Sequence, residues 1–322
     1  LIKYGSKQSI EKAKRKMYQL SVSNFIERKM ILITILKELA SREFERYYLK
    51  ILRDKDYRIR RKAIEIAPLY KSQKVVKTLL DYLKDSYLAR FSINALIQIG
   101  DDCLNEIESL YQSSAQNKSI QVQLIKIISM IGSLKSNNLL NEKLDLYDKS
   151  TLLPVLEGLY HNQYYEKDSN KIESFIYDEI NFTYQLLTVY FDIKKKFEEG
   201  AITNAILDDI NLSRKRIFYF LSFLYPNENL KNIWFYYDSG NDEKKAYSVE
   251  FIDNLVRMKK LKRILICLLD DMSEEDRYRR LGRYFKCIHR DEKIRITQIL
   301  DENIPWTNSW MKSCLFFDLF EF

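Results

Sequence analysis

The sequence predicts an all-α fold, an α-α superhelix in which helical hairpins stack as a solenoid, and three observations lead there. First, Ile59-Arg60 to Tyr70, Leu88-Ala89-Arg90 to Gly100 and Ile120-Gln121-Val122 to Gly132 can be laid over one another. Arg60 and Arg90 are 30 positions apart, while Leu88 to Ile120 and Gly100 to Gly132 each span 32, the length of a helix pair with its turns. Second, 7 Gly and 4 Pro in 322 residues are too few for the turns of a many-stranded sheet. Third, the 46% of hydrophobic residues is ample for a core and recurs with helical rather than alternating period.

Residues 7 to 54 read as two or three helices, with Phe25, Met30, Ile33, Leu36 and Leu39 spaced for one buried face. Asp56 is placed to cap a helix running to Tyr70, in which Ile59, Ala63, Ile66 and Ala67 point inward. Val75-Val76, Leu79-Leu80 and Leu83 form its partner, and Asp85-Ser86 punctuates before the second copy, whose inward side is Ile93, Leu96, Ile97 and Gly100. Leu104, Ile107 and Leu110 lie on the returning helix, and Ser113 to Lys118 is a loop. Gly100 and Gly132 sit where a helix end needs a left-handed residue. A fourth, weaker copy runs from Thr151 to Tyr160.

Beyond it the period blurs. Ile172 to Phe197 is one long helical stretch stopped by Gly200, followed by helices over Ile206 to Tyr225 and Leu230 to Tyr237. The hairpin pattern returns in Ala246 to Val256 and Leu261 to Leu269. Ser273, with Asp276 three residues on, caps a predicted helix from Glu274 to His289, and Pro305-Trp306 to Phe322 opens a further repeat. The expected organisation is one continuous solenoid: N-terminal repeats over 1–171, an irregular middle over 172–241 and C-terminal repeats over 242–322.

Net charge is +8, from 53 basic and 45 acidic residues, and most of it sits in one hairpin. Between Arg257 and Arg290 eleven Lys and Arg face five Asp and Glu, a local charge of +6. Arg279, Arg283, Lys286 and Arg290 recur as a ridge on the predicted helix, beside an apolar face of Leu281, Tyr284, Phe285 and Ile288. With Lys259, Lys260, Lys262 and Arg263 they form the candidate anion or partner surface, against the simpler reading of a solvated face whose arginines pair with Glu274, Glu275 and Asp276. Lys55, Arg58 and Lys62 make a smaller stripe with a still simpler reading. The 23 Tyr and 17 Phe suit stacking platforms for nucleic acid, but a biased genomic base composition explains them more simply.

Catalytic chemistry finds no constellation. The two histidines, His161 and His289, lie in separate repeats, His161 in a loop and His289 at a helix end. Asp101-Asp102, Asp208-Asp209 and Asp270-Asp271 resemble paired carboxylates, but neighbouring helical residues diverge, and helix-junction capping is the better account. No phosphate-binding loop, dinucleotide turn, HExxH or GxSxG string occurs, so neither a cofactor nor a metal site is expected. Trp306 and Trp310, one turn apart, read as core or hairpin contacts, and so does Trp234. Cys103, Cys267, Cys287 and Cys314 form no CxxC pair, so free thiols in a reducing compartment are expected. The start at Leu1-Ile2-Lys3-Tyr4 and the uncapped apolar run into Phe322 read as cut ends of a longer polypeptide.

Arg60-Arg61-Lys62-Ala63 and Ala95-Leu96-Ile97-Gln98-Ile99-Gly100 resemble HEAT repeats, in which a polar-capped second helix begins with an aliphatic-Arg pair. Ala246-Tyr247-Ser248-Val249-Glu250-Phe251-Ile252-Asp253-Asn254-Leu255 and Trp310-Met311-Lys312-Ser313-Cys314-Leu315 are similar to segments of bacterial HEAT domains joined to ATP/ADP-translocase-type membrane domains. The last segment departs from that pattern at Ser313 and Phe316-Phe317, where small residues are expected. The resemblance implies a cytoplasmic, non-catalytic interaction or regulatory scaffold, partnered by a protein or by adjoining domains of the same polypeptide. A nucleic-acid-binding protein of the HEAT-like DNA glycosylase kind is the alternative, with the basic hairpin as its surface.

Overall fold

The structure, a computed structural model, describes residues 6–166, 168–301, 304 and 306–321. Leu1 to Tyr4, Pro305 and Phe322, invoked above for the chain ends, lie outside the described residues. The described residues are all-α, with no strand. Two compact units divide the chain, Leu1–Asn162 and Gln163–Phe322.

The N-terminal unit contains α1 (Lys7–Ser21), α2 (Ile26–Leu39), α3 (Glu45–Leu52), α4 (Tyr57–Glu65), α5 (Gln73–Asp81), α6 (Ala89–Ile99), α7 (Leu104–Ser113), α8 (Lys118–Ile131), α9 (Leu134–Leu146) and α10 (Lys149–His161). Several helix starts have a local cause. The Asp56 carboxylate accepts from Arg58 N at 2.9 Å, Ser72 Oγ from Val75 N, Asn117 Oδ1 from Ile120 N at 3.1 Å and Ser133 Oγ from Ser136 N at 3.1 Å. Such a cap satisfies a donor that has no partner within the helix and contributes about 1 kcal/mol. Gly100 and Gly132 end their helices at φ +70° and +65°, as expected. The helix from Asp56 stops earlier than expected, at Glu65. Pro68 lacks the N–H an α-helix would use, and Ala67–Leu69 tightens to a 3-10 turn.

Within this unit α1 packs on α3, α3 on α5 and α5 on α7, while α2 packs on α4, α4 on α6, α6 on α8 and α8 on α10. Ile59, Ala63, Val75, Val76, Leu79, Leu96, Ile107, Leu124 and Ile128 are buried between these rows. Phe25 departs from expectation: it precedes α2, is 60% exposed, and carries the Arg28 guanidinium 4.9 Å above its ring, while Leu32 takes a core position. Ile93 and Ile97 are only half-buried, because Ser92, Ala95 and Ile99 share the inward side with Leu96.

Polar rungs join helices about one repeat apart. Lys29 pairs with Asp54, Arg60 with Asp85 at 3.9 Å and Lys118 with Asp148 at 2.8 Å. Part of the tyrosine excess also has a structural use. Tyr70 Oη donates to Leu36 O at 2.7 Å, Tyr82 Oη to Leu52 O at 2.6 Å and Tyr48 Oη to Ala63 O at 3.0 Å. Each of these carbonyls lies at a helix C-terminus; Leu36 O and Ala63 O also accept from Ala40 N and Ile66 N, so there the phenol fills a second acceptor position inside the core. The Tyr48 and Tyr70 rings stack at 4.4 Å, and burial pushes the Tyr70 hydroxyl up to about 12.

The C-terminal unit contains α11 (Ser169–Ile193), α12 (Ala201–Leu224), α13 (Leu230–Tyr237), α14 (Asp242–Leu255), α15 (Lys259–Leu269), α16 (Glu274–Leu281), α17 (Glu292–Leu300) and α18 (Ser309–Glu321). The two long helices α11 and α12 lie against each other. Helices α13 and α18 pack on α12, while α15, α16 and α17 pack on α11. The α11–α12 seam is largely apolar and contains a buried polar network. Glu179, fully buried, receives the Arg216 Nε at 3.1 Å and lies 2.7 Å from the Ser213 hydroxyl, which in turn meets Thr183 at 2.9 Å.

Gly200 does more than stop the preceding stretch. At the start of α12 the Asp318 carboxylate, from α18, accepts from Ala201 N and Ile202 N at 2.8 Å each. A Cβ on Gly200 would stand 2.5 Å from Asp318 Oδ2, so glycine is what lets a carboxylate remote in sequence cap this helix.

Candidate interaction surfaces

The basic hairpin expected over Arg257 to Arg290 is built differently from the prediction. Ser273 caps α16 as expected, its Oγ accepting from Asp276 N at 3.1 Å, but the helix ends at Leu281 and the chain from Phe285 to Asp291 is non-helical. The ridge of Arg279, Arg283, Lys286 and Arg290 therefore does not form along one helix. Its apolar companion face fails too: Leu281 is buried, but Tyr284 is exposed and Ile288 is 71% exposed. Two anchors account for this. Arg277 is buried and donates from Nε to Leu268 O at 3.0 Å, from Nη2 to Asp270 O at 3.0 Å and from Nη1 to Met272 O at 3.3 Å, closing the end of α15. Asp192 then holds the residues beyond, accepting from Arg290 N at 3.1 Å.

Of the eight predicted surface residues, Lys262 pairs with Asp253 at 3.3 Å and Arg279 with Asp276 at 3.4 Å. Lys260 lies 5.7 Å over the Tyr177 ring. The side chains of Lys259, Arg263, Arg283, Lys286 and Arg290 are exposed and have no ion-pair partner among the described residues. The smaller stripe takes the simpler reading, with Arg58 on Asp56 at 2.8 Å and Lys62 on Glu65 at 2.9 Å.

His289, isolated in sequence, is the centre of a four-residue chain. Its Nδ1 lies 2.5 Å from Asp192 Oδ1, and its Nε2 lies 2.9 Å from the Tyr278 hydroxyl. Asp192 Oδ2 takes the Arg295 Nε at 2.7 Å, and Arg295 Nη2 donates to Ile288 O at 2.7 Å. Tyr278 stacks on Tyr184 at 5.0 Å. Both imidazole nitrogens are engaged within the protein, so the arrangement fastens the segment before α17 to α11 and leaves neither nitrogen turned toward a substrate. Asp192, Arg295 and Tyr278 were not singled out in sequence. The one signal for Asp192 is a carboxylate amid the apolar run Thr188 to Ile193.

The carboxylate pairs divide. Asp101 accepts from Ser133 Oγ, and Asp102 meets Lys71 at 3.3 Å, both beside a helix junction. Asp208 and Asp209 lie inside α12 rather than at a junction, which corrects the capping expectation. Asn308 donates to Asp209 at 2.6 Å, and burial lifts the Asp209 carboxyl to about 6. Among the described residues no group of three or more His, Cys, Asp or Glu is placed to hold a metal ion, and no helix is long and apolar enough to cross a membrane.

An apolar cleft of about 510 Å³ lies between α12 and α18, lined by Ala205, Asp208, Trp310, Cys314 and Phe317. Trp310, expected in a core or hairpin contact, is 63% exposed at its edge, while Met311, Cys314 and Leu315 take the buried side of α18. Against known proteins, no family model matches this chain, and no curated protein sequence matches it.

Proposed function

We propose that this chain is a HEAT-like α-solenoid acting as a non-catalytic interaction or regulatory scaffold, a cytosolic part of a larger bacterial multidomain protein. The observation that supports it best is the alternation within the N-terminal unit, where α1, α3, α5 and α7 pack each on the next, as do α2, α4, α6, α8 and α10. That is the contact pattern of hairpins stacked in a row. The rungs Lys29–Asp54, Arg60–Asp85 and Lys118–Asp148 recur with the stacking. Lys118–Asp148 is solvent-exposed and contributes little stability by itself, whereas Lys29–Asp54 is largely buried.

A partner would be recognised along the exposed side of α4, α6 and α8, where Arg61, Arg90 and Lys126 stand outward and Arg61 rests 4.6 Å over Phe91. In a linear array, stability is nearly a sum of nearest-neighbour contributions. Deleting residues 134–161, which removes α9 and α10, therefore leaves α1 to α8 helical and cooperatively folded at lower stability, by circular dichroism and urea titration. Loss of all helical signal would refute stacking. The scaffold reading further expects a reproducible set of proteins captured from cells to be lost on joint Arg61→Glu, Arg90→Glu and Lys126→Glu substitution. Unchanged capture, or turnover by the purified chain, would refute it.

A further inference from the structure

Between α1 and α3 runs a groove of about 560 Å³. Lys14 and Tyr18, one turn apart, line it from α1 with Arg15 beside them, and Arg46 and Lys50, one turn apart, line it from α3 with Tyr47. Four cations and one carboxylate, Glu11, thus border one depression. Only Lys14 is neutralised, by Glu43 at 2.6 Å and Glu11 at 3.6 Å. Arg15, Arg46 and Lys50 have no carboxylate partner among the described residues, and two of them are seated on aromatic rings instead. The Arg46 guanidinium lies 4.6 Å from the Tyr47 ring centroid and donates from Nη2 to the Tyr47 hydroxyl at 2.5 Å. The Lys50 ammonium lies 4.6 Å from the Tyr18 centroid.

A ring restrains a cation without cancelling its charge. A carboxylate in the same place would do both. The groove therefore holds positioned positive charge that is left for an outside anion. Tyr47 is buried, so the seat under Arg46 is fixed by the core, whereas Tyr18 is 55% exposed and keeps ring surface for a flat group. Arginine forks match pairs of phosphoryl oxygens, and lysine supplies a compact charge beside them.

We propose that the α1–α3 groove binds a small phosphate-bearing anion of the pyrophosphate class, with Arg15, Arg46 and Lys50 holding the phosphoryl oxygens. Three unneutralised cations suit two linked phosphates better than the single charge of a carboxylate. The volume falls within the usual range of small-ligand sites. A single-stranded nucleic acid fits less well, because it is held on a track of successive exposed rings and this groove offers one. The proposal is independent of the solenoid reading, since it requires only α1 and α3 side by side.

Isothermal titration of the full chain at low salt, with inorganic pyrophosphate and separately with ADP, tests it. Pyrophosphate is expected to bind, and its affinity to fall about tenfold or more in Arg46→Ala and in Lys50→Ala. The same affinity should be unchanged in Lys259→Ala/Arg263→Ala, which removes charge far along the sequence. All these side chains are exposed, so circular dichroism should show intact helices in each variant. Tighter binding of ADP, with the advantage lost in Tyr18→Leu, identifies the ligand as a nucleotide. Equal binding identifies the phosphates alone as what is recognised. Three results would overturn the proposal: neither anion binds, binding survives Arg46→Ala/Lys50→Ala intact, or a single-stranded oligonucleotide binds where both small anions fail.

Discussion

Replacing Asp192 with alanine removes the acceptor on which Arg295, His289 and the Arg290 backbone N–H converge. The Arg295 side chain is only 5% exposed and Asp192 only 4%, so the guanidinium would keep its burial and lose its counter-charge. The remaining bonds, to Gln298 Oε1 and Ile288 O, are to neutral acceptors. Breaking a buried pair from one side costs about 3–5 kcal/mol, because an uncompensated charge is left inside. For a unit of the size of Gln163–Phe322 each kcal/mol shifts the midpoint by about 2–4 °C, so the melting transition of that unit should fall by roughly 6–20 °C. Urea titration followed by circular dichroism measures the free energy, and Asp192→Leu/Arg295→Met supplies the control. If stranded charge is the cause, the double variant recovers much of the loss, since an apolar pair of similar volume is often nearly neutral. His289→Ala should cost less than about 1 kcal/mol, because that imidazole is 59% exposed. A loss below about 1 kcal/mol in Asp192→Ala, or strict additivity in the double variant, would refute the reasoning.

Gly200→Ala should destabilise the C-terminal unit by about 1–3 kcal/mol, by driving a Cβ into the Asp318 carboxylate that caps α12. Asp318→Ala should cost about 1–2 kcal/mol through the two orphaned N–H groups, and the pair should be less than additive in denaturant titration. Asp209→Asn should stabilise the unit at pH 7 by about 1–3 kcal/mol. Burial holds the folded Asp209 carboxyl at about 6 against an unfolded value of 3.8, so the folded state keeps a proton that the unfolded state releases. That deficit is absent below pH 3.8, grows as pH rises to about 6 and persists above it, so wild type and variant should differ at pH 7 and converge near pH 3.5. Equal stability at pH 7 would contradict the burial. Tyr70→Phe should cost about 1 kcal/mol by removing the phenol's bond to Leu36 O, which keeps only the Ala40 N–H, and no change in urea midpoint would remove the tyrosine-cap argument.

The contrast between the two units explains what could be read from residues alone. In the N-terminal unit the organising contacts are short in sequence: Asp56 caps two residues ahead, and Ile59 and Ala63 are one turn apart. The rungs reach one repeat, from Lys29 to Asp54 or Arg60 to Asp85. Helical period, capping residues and the Gly100–Gly132 interval all carry that information, so the helix sites and most inward residues were legible. Helices α9 (Leu134–Leu146) and α17 (Glu292–Leu300) carry no expectation from sequence, since neither belongs to a recurring copy.

In the C-terminal unit the deciding contacts span about a hundred positions: Asp192 to His289 and Arg295, Asp209 to Asn308, Ala201 to Asp318. No local pattern marks such a pair, because each member looks like an ordinary surface charge until the fold closes over it. The predicted helix beyond Leu281 shows the consequence. Tyr284, Phe285 and Ile288 have the spacing of a buried helical face, yet the chain leaves the helix where Asp192 can accept from Arg290 N. Propensity over a few residues contributes only tenths of a kcal/mol each, whereas a buried carboxylate demands several donors, so the remote acceptor prevails over the local period. The same logic places the groove between α1 and α3 within reach of sequence only in part. The pairs Lys14–Tyr18 and Arg46–Lys50 are one turn apart in sequence but carry no expectation from it, and nothing local says that Arg46 and Lys50 rest on rings while Lys14 rests on carboxylates. What separates an anion receptor from a solvated basic face is which partner each cation has found, and that is settled only by packing.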